Sequence, residues 1–342
     1  MEHGDDEAVA GELLGLVDEG DPAALLAAHP DLADLFEEVL TNARAATSAA
    51  TQRAYATDWA AFVGWCAGRG VAPLPALPVV VAMYLSHLGR LGRRIATIAR
   101  ALASLASYHR RAGHPSPAAD PQVREVWKGL RRRHGAPQTS RQALLTEALK
   151  SVVAAAPGGP GGLTALRDRA LLLVGWAGAF RRSELVALEV ADVEALPTGA
   201  LRVTVRRSKT DQEGRGFVKV IGRARDPQAC PVECLRRWRE AAGITAGPLF
   251  RPIDRHGHVG RRALTGASVA LVVKRAARSA GLDPTRLAGH SLRSGFATSM
   301  SMAGAPLPEI MQQTGHRSAQ MAMRYVQEAD RLRQNHTVRA GL

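Results

Sequence analysis

Three clusters of polar residues in the second half of the chain combine into a phosphoryl chemistry. Phe180-Arg181-Arg182-Ser183-Glu184-Leu185 comes first, and Gly289-His290-Ser291-Leu292-Arg293-Ser294-Gly295 follows about a hundred residues later. The third runs from Thr314-Gly-His316 to Tyr325, which is the only tyrosine after residue 108. A phosphodiester gains negative charge on its non-bridging oxygens as a nucleophile adds, and fixed cationic donors aimed at those oxygens are the strongest lever a protein has. Arg181 and Arg293 are the natural clamp. Glu184, one helical turn after Arg181, can orient that arginine through a charge-assisted bond. Tyr325 would be the nucleophile. A phenol with an ordinary pKa near 10 is only about 0.1% ionised at pH 7, so it needs a base or a cationic pocket, and His290 or His316 with the two arginines supplies both. The departing oxygen needs a proton, which Lys209 in the turn Arg207-Ser-Lys-Thr210 can give if neighbouring charge lowers its pKa. Taken singly, each arginine is one of forty, a lone tyrosine on an apolar helix is core, and a turn lysine is solvated. Their order along one chain sets the chemistry above those separate readings.

These residues must be positioned by the elements around them. Leu166–Phe180 reads as an apolar helix that Arg181–Leu188 continues. Leu201–Arg206 and Phe217–Ile221 alternate with period two and form a hairpin whose turn carries Lys209. Ser268–Gly281, Arg293–Gly304, Pro306–Thr314 and Ala319–Val326 read as helices, with Gln327–Arg339 a further helix on a short tether. Upstream, Thr51-x3-Tyr55-x3-Trp59-x2-Phe62-x2-Trp65 has the three-and-four spacing of one helix face, and Ile95, Ile98, Leu102, Leu105 and Tyr108 form another stripe. With Val79–Leu91 and Val123–Arg133 this makes a small, all-helical, basic module whose aromatics are core. The expected fold is mainly α, with a small antiparallel β-hairpin or sheet in the C-terminal domain and an all-helical N-terminal domain. The expected divisions are an acidic leader at 1–45, the helical module at 46–134, a linker at 135–143, a catalytic domain at 144–326 and a tail at 327–342.

Charge is segregated along the chain. Residues 1–43 hold twelve acids and no Lys or Arg, which leaves 45 bases against 19 acids in residues 44–342, a net of +26. A body that basic implies a polyanionic partner, with nucleic acid the default. Arg93, Arg94, Lys128, Arg131, Arg132, Arg133, Arg261 and Arg262 are the candidate phosphate contacts, and such contacts make affinity fall steeply with salt. The leader is either a solvated tail with short amphipathic helices broken by Gly20 and Pro30, or an arm that binds a partner or masks the basic surface. Lysines number only five, so each merits a look. Three cysteines argue against a disulfide framework and for a reducing compartment. The acidic N-terminus is no signal peptide, and the longest apolar run, Ala170–Phe180, is too short for a membrane span. A soluble protein of the bacterial cytoplasm is expected. Acids are scarce around the clusters, and neither His256-Gly-His258 nor Cys230 with Cys234 makes a zinc set, so no metal and no cofactor are expected.

Together the clusters resemble the tyrosine recombinase (phage integrase) family, with its Cre-like two-domain branch nearest. The resemblance spans about residues 48–336 and rests on an Arg-x-x-Glu box, a hairpin lysine, His-x-x-Arg, Gly-His and a tyrosine in that order. It implies that Arg181 and Arg293 clamp the phosphate, with Glu184 supporting Arg181. Lys209 becomes the general acid, His290 the acid/base partner, His316 a hydrogen-bond donor to the phosphate, and Tyr325 the nucleophile of a 3′-phosphotyrosine link. That link conserves bond energy, so neither ATP nor a metal is needed. The resemblance also implies double-stranded DNA as partner, a tetramer on two DNA sites, a core-binding domain at 46–134 and a docking tail. Thr314 stands where the family commonly has Leu, and Arg182 where an apolar residue is commoner. A topoisomerase-like nicking enzyme, a hydrolytic nuclease and an architectural DNA-binding protein are the competing readings.

Overall fold

The computed structural model describes residues 22–135, 141–156, 161–206 and 216–333. The chain divides into two units between Gln138 and Thr139, inside the stretch expected to be a linker. It is mainly helical with one small antiparallel sheet, the expected fold class. Among the described residues, no helix is long and apolar enough to cross a membrane.

The first unit begins with α1 (Pro22–Ala28) and α2 (Ala33–Ala45), separated by a 3-10 turn that Pro30 opens. Leu25, Leu35 and Val39 stay exposed on these helices. The core of the unit lies among α3 (Ala49–Ala67), α4 (Pro78–Arg90), α5 (Ile95–Arg111) and α6 (Pro121–His134). Ser48 caps α3 by accepting from Thr51 N at 3.3 Å, and Asp120 caps α6 by accepting from Gln122 N at 2.8 Å. Phe62, Cys66, Val81, Leu85, Ile98, Leu105 and Val123 are fully buried. Trp59 stacks on Tyr108 with centroids 4.5 Å apart, so the aromatic face of α3 is packing, as its spacing predicts. Asp58 takes a bidentate bond from Arg100 at 2.7 and 3.0 Å, which ties α3 to α5.

The second unit is built on α8 (Leu163–Ala177), buried on nearly every side from Ala170 to Gly175. Around it lie α7 (Thr146–Ala154), α9 (Arg182–Ala187), α10 (Pro231–Ala241), α11 (Gly266–Ser279), α12 (His290–Met302), α13 (Leu307–Thr314) and α14 (Ala319–Arg333). The sheet has the order β1 (Val193–Ala195), β2 (Leu201–Val205), β3 (Phe217–Ile221), with Val193 opposite Val203 and Leu201 opposite Ile221. Buried Asp168 is satisfied by Arg167 at 2.9 and 2.8 Å and by Arg275. The segment before α7 lies against α12: Leu144 N donates to Ser291 O at 2.9 Å, and a Cβ on Gly295 would stand 1.9 Å from the Leu144 carbonyl oxygen. Gly295 is required by that close approach.

Two expectations need correction, and one element is added. The helix over Leu166–Phe180 does not run on through Leu188. It ends at Ala177, and Gly178-Ala179-Phe180 forms a turn in which Ala179 takes the left-handed φ of 46°. Phe180 folds back so that a Cβ at Gly178 would meet its ring at 2.1 Å, and Phe180 N donates to Gly175 O at 3.0 Å. The turn buries an aromatic ring and restarts the chain at α9. The expected hairpin is present as β2 and β3, and β1, too short and too polar as Val-Glu-Ala to show a period in the sequence, adds a third strand to the sheet. Finally, α14 runs unbroken past Val326 to Arg333, with no Gly or Pro between Tyr325 and Arg333 to end it and Ala329 buried beneath. The rest of the expected tail helix lies outside the described residues.

Candidate active site

The turn at Gly178–Phe180 makes Arg181 the N-cap residue of α9 rather than a mid-helix residue. Glu184 then reaches back, accepting from Arg181 N at 2.9 Å and from Arg181 Nη1 at 2.6 Å, with its carboxylate fully buried. Three-residue spacing is what this reciprocal cap requires. Arg182 points elsewhere: its aliphatic stem lies over Gly289, where a Cβ would stand 2.4 Å from Arg182 Cγ, and the residue is exposed. Arg181 is therefore the fixed cation of the pair.

Arg293 is 1% exposed in the first turns of α12. Its Nη1 donates at 2.8 Å to Ala179 O, a carbonyl that the break after α8 leaves without a helical partner. Its Nη2 donates at 3.0 Å to His316 Nε2. Burial first, and then the Arg181 charge, push the Arg293 guanidinium down, while Glu184 and the Tyr325 phenol that reaches it push it up.

His316 is delivered by the left-handed C-cap of α13 at Gly315 (φ 65°, ψ 40°), whose N–H donates to Met311 O at 2.7 Å. Thr314 Oγ1 donates at 2.6 Å to Ile310 O and accepts from His316 Nδ1 at 2.7 Å. That pattern assigns the proton of the neutral ring to Nδ1 and leaves Nε2 as the acceptor for Arg293. Thr314 thus bonds the His316 ring as well as packing. Desolvation, followed by Arg293, Arg181, His290 and Lys219, takes the His316 pKa down to about 4. The Tyr325 ring lies on α14 with its centroid 5.6 Å from that of His316. His290 opens α12 at the surface of the cluster. The residue is exposed, and desolvation, followed by the charges of Arg293, Arg181, Arg182 and Arg324, lowers its pKa.

Arg181, Glu184, His290, Arg293, His316 and Tyr325 thus come together from three separate stretches of sequence. Lys209 lies outside the described residues. The structure adds Lys219, an inward-facing lysine of β3 that the sequence reading passed over. The eight candidate phosphate contacts are all exposed: Arg93 and Arg94 just before α5, Lys128 and Arg131–Arg133 along α6, and Arg261 and Arg262 before α11.

A buried cationic cradle beside a phenol, on a helical domain with a small sheet, suits phosphoryl transfer to a tyrosine. Residues 142–331 match the phage integrase family, and the chain belongs to that family, the tyrosine recombinases. An integrase/recombinase XerD homolog of Selenomonas ruminantium is 38% identical over 288 residues, 83% of each chain. The recombinase Cre of Escherichia phage P1 is 26% identical over 80% of this chain and 81% of its own. Among solved structures, lambda integrase residues 75–356, as a dimer bound to a COC′ core site, share the fold with a TM-score of 0.58. The identity is 21%, with 88% of this chain and 95% of that one covered.

Proposed function

We propose that this protein recombines double-stranded DNA at specific sites, with Tyr325 attacking a phosphodiester held between Arg181 and Arg293. The phenolic oxygen bonds to phosphorus, the bond to the 5′-oxygen breaks, and the strand is left as a 3′-phosphotyrosine with a free 5′-hydroxyl. Rejoining is the reverse step with a different 5′-hydroxyl, so one bond forms for each broken, and neither ATP nor a metal is called for. The observation that carries this reading is Arg293: a buried guanidinium pinned by Ala179 O, bonded to His316 and reached by the Tyr325 phenol.

Glu184 fixes Arg181, His290 exchanges a proton with the nucleophile, and Lys209 protonates the departing 5′-oxygen. His316 accepts from Arg293 in the DNA-free protein. A phosphate oxygen seated on Arg293 competes for that N–H and favours protonation of His316, which then donates from Nε2. The helical module at 46–134 completes the grip on DNA through its exposed arginines, and four protomers act on two sites, with the tail beyond Val326 docking between protomers. The DNA-bound lambda integrase complex supports DNA as the substrate.

The test incubates the protein with sheared genomic DNA of its source in EDTA, denatures it and sequences the protein-linked strands. Recurrent adducts with kinase-labelable 5′-hydroxyl ends are expected, and joined products between two sites distinguish recombination from nicking and closing alone. Free strand ends without covalent protein would overturn the proposal in favour of a nuclease.

A further inference from the structure

Strand β3 alternates the wrong way for a simple half-buried strand: Val218 and Val220 are 47% and 51% exposed, while Lys219 between them is 1% exposed. A lysine stem can pack in the interior, but its ammonium ordinarily reaches water. Here Nζ donates to the carbonyl of Gln313 and lies 4.9 Å from the Phe180 ring centroid and 5.1 Å from that of Phe217. Two of those partners belong to segments that carry a site residue, and the third packs against one. Gln313 directly precedes Thr314-Gly315-His316, and its side chain donates to Ala177 O at 2.8 Å and Val220 O at 3.0 Å. Phe217 packs 3.0 Å from where a Cβ on Gly315 would sit. Phe180 directly precedes Arg181 and follows the carbonyl that holds Arg293.

We propose that Lys219 is a positioning residue of the strand-transfer site, holding the His316 turn and the Arg181 turn in register and adding a positive charge to the site when DNA is bound. This inference rests on the recombinase reading above. The contacts at Nζ, two aromatic rings and one carbonyl, could be filled by a side chain without a charge, so a purely structural contact here would need none. The charged groups that act on Lys219 are Glu184 on α9, which favours the ammonium, and Arg293 and Arg181, which oppose it. His316 in turn feels the Lys219 charge. Burial, ahead of these charges, brings the Lys219 pKa down to about 7. A phosphodiester arriving between the two arginines adds a negative charge and draws a proton onto Lys219. The DNA-free protein therefore loses this charge as pH rises through 7, and the bound complex keeps it.

Lys219→Met keeps the length and apolar stem without the charge, and Lys219→Arg keeps the charge. DNA affinity, single-turnover strand cleavage and its pH profile are measured for both in the full chain, beside wild type and Tyr325→Phe. Lys219→Met should bind DNA within about twofold of wild type and cleave it roughly tenfold to a hundredfold more slowly, below the full loss of a donor that touches the phosphate. The wild-type kcat/KM should fall with a pKa near 7 that Lys219→Met lacks, because kcat/KM reports groups of the free protein. Lys219→Arg should recover part of the rate and lose that limb. Cleavage of DNA with a sulfur in place of the bridging 5′-oxygen, a leaving group that needs no proton, should leave Lys219→Met slow. Full rescue there would make Lys219 the general acid and overturn a positioning role. Wild-type rates and pH profile in Lys219→Met would also overturn it, provided wild type forms an adduct that Tyr325→Phe does not. Absence of that adduct in wild type would instead sink the recombinase reading itself. Folding is checked separately: wild-type stability should rise with pH between about 7 and the ordinary lysine value, and that slope should vanish in Lys219→Met.

Discussion

Arg293 holds the site together because one guanidinium meets a backbone carbonyl and an imidazole, and in the proposed reaction it also receives the phosphate. Replacing it with Gln should lower strand cleavage by roughly 10²–10³-fold, the loss expected for one donor aimed at developing charge, with a much smaller change in DNA affinity. Single-turnover cleavage beside a filter-binding or mobility measurement reads both. Thr314 makes a smaller and more specific prediction. Thr314→Val keeps the shape and removes the oxygen that accepts from His316 Nδ1. One neutral hydrogen bond contributes about 0.5–1.5 kcal/mol, so cleavage should slow by roughly threefold to tenfold, and the ring proton should no longer be confined to Nδ1 in nitrogen NMR. Unchanged rate and tautomer would mean that Thr314 only packs.

At the scale of elements, the site depends on two departures from regular structure, the Gly178–Phe180 break and the Gly315 cap. Neither was equally legible. Gly-His at 315–316 follows a helical stretch, and glycine in that place signals a left-handed C-cap. The break after Ala177 carries no such signal, because Gly178-Ala179 interrupts an apolar run whose composition suits a continuing helix. It forms because the Phe180 ring gains burial by folding back, a tertiary gain that local propensity does not contain. The same limit hid Lys219. Period two identifies β3, but it does not say which face is inward, and here the aromatic and lysine face is inward while the valines face water. The order of the boxes, by contrast, was readable because each chemical role constrains a residue type as well as a place. Gly295 offers a test at this scale. Gly295→Ala drives a Cβ into the Leu144 carbonyl, a backbone atom that cannot rotate away. A loss of about 1–3 kcal/mol is expected, seen as a lower denaturation midpoint, and the displaced segment before α7 should become open to proteolysis.

For the whole molecule, charge and proton linkage dominate. The net of +26 over residues 44–342 should make log Kd for DNA depend linearly on log salt, with a slope near 0.9 for each phosphate neutralised. Replacing Arg131, Arg132 and Arg133 together with Gln should reduce that slope by up to about three contacts and weaken binding evenly across DNA sequences. His316 sets an acid limb for stability. Its pKa lies at about 4 in the folded protein against an ordinary value near 6.5, so between those values the unfolded chain binds more protons. Stability should therefore fall as pH drops from about 6.5 toward 4, and His109 and His290, both pushed down by burial, contribute with the same sign. Urea midpoints at pH 7.5, 5.5 and 4.5 read this, and His316→Gln should flatten part of the decline.

The central claim is that Tyr325 becomes covalently joined to DNA, and mass spectrometry of the trapped adduct tests it most directly. The adduct is digested with nuclease and protease, and the peptides carrying residual nucleotide are sequenced. The account predicts a nucleotide mass on Tyr325 in wild type and no modified peptide in Tyr325→Phe. A nucleotide on any other residue, or an adduct that persists in Tyr325→Phe, would contradict it.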